Sequence, residues 1–480
     1  MTESLILDLA DEHDTARLGR ALSALVQAGD SLLLEGPIGA GKSHLARAFI
    51  RARLGAEEDV PSPTFTLVQT YPGHPDIWHA DLYRLTHPDE VLELGLDDAF
   101  ASAICLIEWP DRLGRYLPAN PIRLKLETLG EGRRATLTCA RLGFGAALTV
   151  ALRAEYAAHF IEITGWSDAL RSPLAGDASS RRYERLTRSG ETAILMDAPP
   201  GQADSVADFV RIDRHLSALH LSAPQILAED APQGFLLVED LGDALYPAVI
   251  AADPSTEAAL YQAATDVLIH LQAHSPAADL SNLSVQDWAE AAAFAVDWYA
   301  QAPEGRANFV TILANSLQTH ADGPRVMILR DYHAENLVWL PDRESLARVG
   351  LLDFQLAQLG QPGYDLVSLL QDARRDVPPQ VEAAMVRHFA QATGQDLTTF
   401  QAAYATLGAQ RALRILGIFA RLCLKDAKPG YLRLIPRVWG QLQRNLSHPA
   451  LSDLRKVCAK LPEPTPAALQ KLEDQCGAFQ

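Results

Sequence analysis

A glycine-rich segment near the start of the chain, residues 36–43 (GPIGAGKS), constrains the fold more than any other feature. It follows a short apolar run, 31–35, and precedes a segment of helical periodicity, 43–54. Strand, loop and helix in this order are typical of a P-loop, in which backbone N–H groups face the phosphates. The sequence therefore predicts an α/β P-loop NTPase domain with ATP and Mg²⁺ as cofactors. Its predicted nucleotide-binding residues are Gly36, Gly39, Gly41, Lys42 and Ser43, with the Ser43 hydroxyl on the metal.

A second phosphate-handling pattern lies much later in the chain. Asp331 and Asn336 follow the apolar run 326–329, and Asp353 follows the apolar run 349–352. A phosphotransferase needs a carboxylate that orients the acceptor hydroxyl and two oxygen ligands for Mg²⁺. Asp331 matches the catalytic carboxylate, and Asn336 and Asp353 match the metal ligands. An Asp-x-x-x-x-Asn pattern alone would be an ordinary polar loop, but the second strand and its acid favour a kinase centre.

Composition and charge limit the possible functions. At 480 residues the chain suits two or three domains, and 48% hydrophobic residues allow each to bury a core. The net charge of −18 offers no basic surface, so we expect no direct strong nucleic-acid binding. The five cysteines are scattered and predict reduced thiols. Without a secretory signal or a membrane-spanning stretch, we expect a soluble cytoplasmic protein with no membrane contact.

Three short motifs follow the P-loop: residues 61–67 (PSPTFTL), 79–85 (HADLYRL) and 107–113 (IEWPDRL). In this order they closely resemble the TsaE family over about residues 5–140. That family is the ATPase of the bacterial machinery that makes threonylcarbamoyladenosine in tRNA. The resemblance implies that Thr64 lies in a switch-like loop, that Asp81 is the magnesium-side acid, and that Glu108 positions water or metal.

The TsaE resemblance also concerns partners. The family acts through TsaD- and TsaB-like proteins rather than by binding tRNA directly, which agrees with the lack of a basic surface. Trp109, next to Glu108, could lie near the nucleotide or belong to the core.

The later part of the chain, roughly residues 155–450, resembles the aminoglycoside phosphotransferase superfamily, which implies an α+β bilobal protein-kinase-like fold. Within it, residues 175–183 (AGDASSRRY) and 195–200 (LMDAPP) resemble the AmgK branch. That branch phosphorylates the anomeric hydroxyl of N-acetylmuramate and N-acetylglucosamine during cell-wall recycling. The resemblance implies an amino-sugar substrate and in-line transfer of the γ-phosphoryl group. Leu356 departs from the polar residue expected of this branch.

One expected residue is missing. Kinases place a lysine on the third strand to hold the α- and β-phosphates, but no lysine lies between Lys125 and Lys425. Residues 193–197 (AILMD) form the expected strand. We predict that Arg182 supplies the cation, with Arg181 and Arg185 as alternatives. A dead kinase would also lack the lysine, but it would be expected to have lost an active-site acid as well.

The sequence thus predicts a bifunctional chain: a TsaE-like ATPase over residues 1–145, a linker 146–155, a kinase domain 156–455 and a C-terminal tail 456–480. Two alternatives remain for the second domain. It could be an antibiotic-resistance kinase, whose site would carry many acids for a polycationic drug. It could also be a non-catalytic module that regulates the first domain.

Overall fold

The computed structural model describes residues 2–55, 58–174, 181–201 and 206–479. It divides into two units, Met1–Ala169 and Leu170–Gln480. The strands of the first unit are β1 Glu3–Leu9, β2 Ser31–Glu35, β3 Val68–Tyr71, β4 Ile77–Asp81, β5 Ile104–Glu108, β6 Ile122–Leu129 and β7 Gly132–Cys139. Its helices are α1 Glu12–Leu25, α2 Lys42–Leu54, α3 Glu90–Glu93, α4 Leu96–Ser102 and α5 Phe144–Ile163.

The first unit is built on one seven-stranded sheet with the order β1-β7-β6-β2-β5-β4-β3. Strands β6, β2, β5 and β4 pair in parallel, and the outer strands pair antiparallel. The centre of the sheet is apolar on both faces, since Leu32, Leu33 and Leu34 of β2 are fully buried. The predicted α/β P-loop fold is confirmed.

The predicted linker is wrong, because residues 146–155 lie inside α5. This helix begins after Gly143 and buries Phe144, Leu148 and Leu152 in the core of the first unit. Their spacing of four residues puts them on one helix face. The alanine-rich composition of this segment favours a helix. The division between the units falls after Ala169.

The second unit begins with a five-stranded antiparallel sheet of order β11-β12-β10-β9-β8. Two further strand pairs, β13 with β16 and β14 with β15, lie among its helices. Its strands are β8 Leu170–Leu174, β9 Arg182–Arg188, β10 Glu191–Asp197, β11 Ile226–Asp230, β12 Phe235–Glu239, β13 Val326–Ile328, β14 Leu337–Trp339, β15 Val349–Leu351 and β16 Gln358–Gly360.

Helices dominate the rest of the second unit, so the predicted α+β bilobal kinase-like fold is confirmed. A large apolar core joins the helices to the catalytic strands. The helices are α6 Val206–Ala218, α7 Tyr246–Ala252, α8 Glu257–Gln272, α9 Val285–Ala292, α10 Arg306–His320, α11 Tyr364–Leu370, α12 Pro379–Ala392, α13 Leu397–Leu424, α14 Ile435–Leu446, α15 Ser452–Cys458 and α16 Pro466–Glu473.

The predicted tail is also corrected, because residues 456–479 pack on the kinase unit. The backbone N–H of Gly477 and that of Phe479 donate to the last turn of α13, at Cys423 O and Leu424 O. Leu472 of α16 is buried in the core. Within the described ranges, no helix is both long and apolar enough to cross a bilayer. All five cysteines are free thiols, as predicted.

Gly417 allows α13 to approach the chain at Phe294, and its replacement tests this packing. A Cβ at Gly417 would overlap the backbone carbonyl of Phe294, whereas a Cβ at Gly440 of α14 would meet nothing within 4 Å. We expect Gly417→Ala to lower the free energy of unfolding by roughly 1–3 kcal/mol, because the helices must separate. Gly440→Ala should raise it by about 0.5–1 kcal/mol through helix propensity. Denaturant unfolding of both variants measures the difference, and equal effects would contradict the packing argument.

Candidate functional sites

The P-loop connects β2 to α2 and passes close to β6. Gly36 has a φ of 139°, and a Cβ there would overlap the carbonyl oxygen of Leu126, so only glycine fits. Helix α2 begins at Lys42, directly after Gly41 with its φ of 102°. Lys42 Nζ donates to Gly36 O at 2.8 Å and to Pro37 O at 2.9 Å. The ammonium group therefore lies inside the curve of the loop.

Two acids meet at the ends of neighbouring strands beside this loop. Asp81 ends β4 and Glu108 ends β5, and the two residues are paired in the parallel ladder. Ser43 Oγ donates to Glu108 Oε2 at 3.0 Å. The strand register thus brings three predicted residues of the first site together.

Asp81 is held by residues 61–67, the segment that the TsaE resemblance interprets as a switch-like loop. Thr64 Oγ1 donates to Asp81 Oδ2 at 2.9 Å, and the backbone N–H of Tyr83 donates to Asp81 Oδ1 at 3.1 Å. Ser62 Oγ lies 2.8 Å from Thr64 Oγ1. Residues 61–67 are therefore tied to the end of β4.

His79 is a site residue that the sequence analysis did not identify. Its Nε2 donates to Glu108 Oε1 at 3.0 Å, and the two side chains are only 1% and 3% exposed. His79 and Asp81 are two residues apart on β4, so they share a face of the sheet. The spacing of two residues between His79 and Asp81 was the feature of the sequence that could have identified His79. Glu108 is consequently fixed from both sides, by His79 and by Ser43.

Trp109 lies beside the nucleotide-binding lysine. Its ring centroid is 4.1 Å from Lys42 Nζ and 5.0 Å from the Tyr83 ring. Burial lowers the pKa of Lys42, while the nearby charges of Glu108 and Asp81 act in the opposite direction. The ring face and the two carboxylates together favour the protonated ammonium.

In the second unit, the three predicted residues meet in one cleft. Asn336 Nδ2 donates to Asp331 O at 2.9 Å and to Asp353 Oδ2 at 3.5 Å. Gln355 Nε2 donates to Asp353 Oδ1 at 2.7 Å. Asp353 has a φ of 55° and its side chain is 49% exposed to the cleft. Asp331, Asn336 and Asp353 therefore form a single cluster, which the Asn336 amide connects and which lines the cleft.

A buried acid supports the loop 329–336, which carries Asp331 and Asn336 and is the predicted catalytic loop. Asp365, fully buried at the start of α11, accepts from Leu329 N at 2.6 Å and from Arg330 N at 2.9 Å. Burial raises the pKa of Asp365 to about 7, and the two N–H groups oppose that rise. Ser368 Oγ donates to Arg330 O at 3.2 Å and accepts from Arg411 Nη2 at 2.8 Å. Asp365 was not among the site residues predicted from the sequence.

His333 connects the catalytic loop to Arg374. Burial, with the charges of Arg374 and Arg411, lowers the pKa of His333 to about 3. The neutral ring accepts at Nε2 from Arg374 Nη1 at 3.3 Å. Arg374 Nε also lies 2.8 Å from Glu335 Oε2. The ring and the carboxylate thus hold one guanidinium at the edge of the cleft.

Arg181, rather than the Arg182 chosen from the sequence, is the arginine that the structure brings close to Asp353. Alternating residues Arg181, Tyr183 and Arg185 line the cleft, whereas Arg182 is exposed and lies opposite Asp197 in the ladder. The Arg181 side chain is 3% exposed, and its Nη1 is 3.9 Å from Asp353 Oδ1.

Arg185 is engaged elsewhere, since its Nε lies 2.7 Å from Asp240 Oδ2 and its Nη2 lies 2.8 Å from Asp243 Oδ1. Residues 175–180, part of the AmgK-like segment, lie outside the described residues.

The cleft between the sheet and the helices has a volume of about 1380 Å³. One end is lined by Ile194, Met196 and Val238 of the sheet and by residues 239–243 that follow it. The other end is lined by Leu356, by Asp372 and Arg374, and by one face of α13. No group of three or more His, Cys, Asp or Glu side chains fit to bind a metal occurs in the described parts of the chain.

Comparison with known proteins assigns each unit to a family. Residues 9–136 match the family model of threonylcarbamoyl adenosine biosynthesis protein TsaE. Residues 171–403 match the model of the phosphotransferase enzyme family. A tRNA threonylcarbamoyladenosine biosynthesis protein TsaE from Rickettsia bellii is 37% identical over 127 residues, which covers 26% of this chain and 88% of that protein.

Among the curated relatives that match the second unit are two described as N-acetylmuramate/N-acetylglucosamine kinase. The protein from Caulobacter vibrioides is 39% identical over 345 residues, which covers 62% of this chain and 93% of that protein. The protein from Pseudomonas aeruginosa is 33% identical over 317 residues, which covers 62% of this chain and 91% of that protein. The chain belongs to both families. Its first unit is a TsaE-family ATPase, and its second unit belongs with these phosphotransferase-fold kinases, as the sequence motifs predicted.

The position of Arg181 leads to a paired test. We expect Arg181→Gln to weaken ATP binding or turnover by the kinase unit by at least about tenfold, because it removes a charged donor beside Asp353. Arg182→Gln, which removes the same charge one residue away, should change either quantity less than about twofold. Nucleotide affinity of each variant in a Lys42→Ala background, measured by calorimetry, reports the second site alone. If Arg182→Gln lost more ATP affinity or turnover than Arg181→Gln, Arg182 would be the cation that replaces the lysine.

Proposed function

We propose that this chain combines two ATP-dependent enzymes in the cytoplasm, where tRNA and ATP are found. The first unit would be the ATPase that supports threonylcarbamoyladenosine formation in tRNA, together with TsaD- and TsaB-like partners. The second would transfer the γ-phosphoryl group of ATP to the anomeric hydroxyl of N-acetylmuramate or N-acetylglucosamine. The names of the relatives, whose lengths are covered almost entirely, support both assignments.

In the first unit, the chain offers one oxygen ligand from the P-loop and two from strand ends. Ser43 and Asp81 would hold Mg²⁺, which takes oxygen ligands and keeps several waters and phosphate oxygens. Lys42 would turn from its loop carbonyls to the β- and γ-phosphates. Glu108, fixed by His79, would orient the attacking water. Magnesium would neutralise the charge that develops on the phosphates.

Partner proteins rather than tRNA contacts would control this unit. Ile38 in the P-loop and Phe65 in the switch-like loop are 75% and 82% exposed. Exposed apolar side chains beside a nucleotide site suit a protein surface better than a phosphate backbone. The net charge of −18 also opposes direct binding of nucleic acid.

In the second unit, the cluster of Asp331, Asn336 and Asp353 carries the proposal. Asp331 would orient the acceptor hydroxyl and take its proton during in-line transfer. Asn336 and Asp353, one amide and one carboxylate oxygen, would hold Mg²⁺. Arg181 would donate to the phosphate chain next to Asp353 in place of the missing lysine.

The end of the cleft that is lined by Leu356, Asp372, Arg374 and α13 has the features of a sugar site, and we call it the acceptor end. Asp372 Oδ2, Gln355 Oε1 and His333 Nδ1 are buried there without a hydrogen-bond partner among the described residues. The polar side chains of Asp372, Gln355 and His333 line the cleft, and the hydroxyl and amide groups of a sugar suit a polar wall of this kind. This end also carries Arg374, Arg411 and Arg414, which oppose a polycationic drug. An aminoglycoside substrate is therefore disfavoured. The intact catalytic cluster disfavours a purely regulatory module.

The two active sites should respond to separate substitutions. We expect Lys42→Ala to abolish ATP hydrolysis by the first unit, since the phosphates lose their neutralising charge, while sugar phosphorylation persists. Asp331→Asn should lower sugar phosphorylation on the order of a hundredfold or more, because the amide cannot take the proton. It should leave hydrolysis by the first unit intact. Hydrolysis with the TsaD- and TsaB-like partners and sugar phosphate formation are measured on the full chain. Loss of both activities in either variant would contradict two independent enzymes.

The anomeric hydroxyl is the proposed acceptor, and methyl glycosides test it. A methyl glycoside of N-acetylglucosamine keeps every other hydroxyl and the acetamide but has no free anomeric hydroxyl. We expect no phosphorylated product from it under conditions in which N-acetylglucosamine is converted, with mass spectrometry as the measurement. Phosphorylation of the glycoside would show transfer to another hydroxyl.

A further inference from the structure

One face of α13 forms a wall of the acceptor end of the cleft. Its cleft-lining residues recur at intervals of about one turn, with two basic side chains followed by apolar ones: Arg411, Arg414, Ile415, Ile418, Phe419 and Leu422. Tyr431, which also lines the cleft, extends the apolar part, with its ring centroid 5.4 Å from that of Phe419. An apolar surface next to guanidinium groups suits a ligand that carries both a carbon skeleton and an anion.

Two of the three arginines at this end are already engaged. Arg411 is buried, and its Nη2 donates to Ser368 Oγ, which supports the catalytic loop. Arg374 is held by Glu335 and by the His333 ring. Both guanidinium groups therefore contribute to the architecture of the catalytic loop.

Arg414 differs from them. Its side chain lines the cleft at intermediate exposure, and it makes no hydrogen bond or ion pair with any other residue that the structure describes. It lies three residues after Arg411 on the same helix face, a rise of about 4.5 Å along the axis. Because Arg411 reaches the catalytic loop through Ser368, Arg414 is about one helical turn away from the place of transfer.

The two sugars that the kinase relatives are named for differ in a single group. Both carry an acetamide on C2 and a free hydroxyl on the anomeric carbon C1. N-acetylmuramate has a lactyl ether on O3 with a carboxylate, where N-acetylglucosamine has a neutral hydroxyl. If the C1 hydroxyl lies at Asp331, C3 is two ring atoms away from the reacting carbon. The carboxylate on O3 would therefore lie at some distance from the catalytic loop.

We propose that Arg414 binds the lactyl carboxylate of N-acetylmuramate and sets the preference of the kinase between the two sugars. A guanidinium binds a carboxylate through two parallel N–H donors, which an ammonium cannot reproduce. The neutral sugar would leave Arg414 in water at the edge of the cleft. This inference rests on the proposed function, since it needs these sugars as substrates.

The test measures kcat/KM for both sugars with the full chain. We expect Arg414→Gln to lower the ratio of kcat/KM for N-acetylmuramate to that for N-acetylglucosamine by at least about tenfold, since a charge-assisted bond is lost only with the anionic sugar. Arg414→Lys should give an intermediate ratio. The control is Arg387→Gln, which removes an exposed arginine of α12 that does not line the cleft and should keep the wild-type ratio.

A neutral analogue completes the test. The methyl ester of N-acetylmuramate keeps the lactyl ether on O3 and loses the charge, with one methyl group added, so the wild-type protein and Arg414→Gln should differ less than about threefold with it. An equal fall on both sugars, or an unchanged ratio, would overturn the role of Arg414. Wild-type protein that phosphorylates neither sugar would instead overturn the proposed function, and the inference with it.

Discussion

Burial of short apolar strands fixes where the acidic side chains emerge in both units. β4 and β5 are buried between helices and paired in parallel, so Asp81 and Glu108 must leave the sheet side by side, next to the P-loop that follows β2. In the second unit, Asp331 and Asp353 each follow soon after a three-residue apolar strand whose position is set by the helical core. Two unrelated folds thus solve the same problem, the placement of oxygen ligands at a phosphate, by ending a buried strand on polar residues.

Much of this arrangement could be predicted because it is local. The P-loop and the Asp331–Asn336 pair each lie within one short stretch of chain, so the length of the loop fixes how their side chains are arranged. The strand-end acids each close a short apolar strand. The sequence alone could not choose between Arg181 and Arg182, because adjacent residues in extended chain face opposite sides, and only the folded structure shows that Arg181, Tyr183 and Arg185 line the cleft. His79 and Asp365 were missed because their partners come from other elements: Glu108, and the backbone N–H groups of residues 329 and 330.

Contacts with distant parts of the chain also explain why the predicted linker and the predicted C-terminal tail were wrong. Residues 146–155 and 456–479 have compositions that alone do not distinguish a connection from a packed helix. The first segment is helical and buries Leu148 and Leu152 against the sheet of the first unit, and the second binds the end of α13 through backbone hydrogen bonds. Whether a segment packs depends on the surface that its apolar face meets, and that surface is formed by distant parts of the chain.

The absence of a lysine from the third strand has a physical explanation in the same cleft. On the expected strand, β10, Met196 is 1% exposed and belongs to the apolar core together with Phe209 and Phe354, whose rings lie 4.8 Å apart. An ammonium group buried on this strand would lose hydration, and that loss would lower its pKa. A guanidinium retains its charge on burial far better. We therefore propose that Arg181, which directly precedes β9 and lies 3.9 Å from Asp353, supplies a permanent cation to the phosphates while β10 remains apolar.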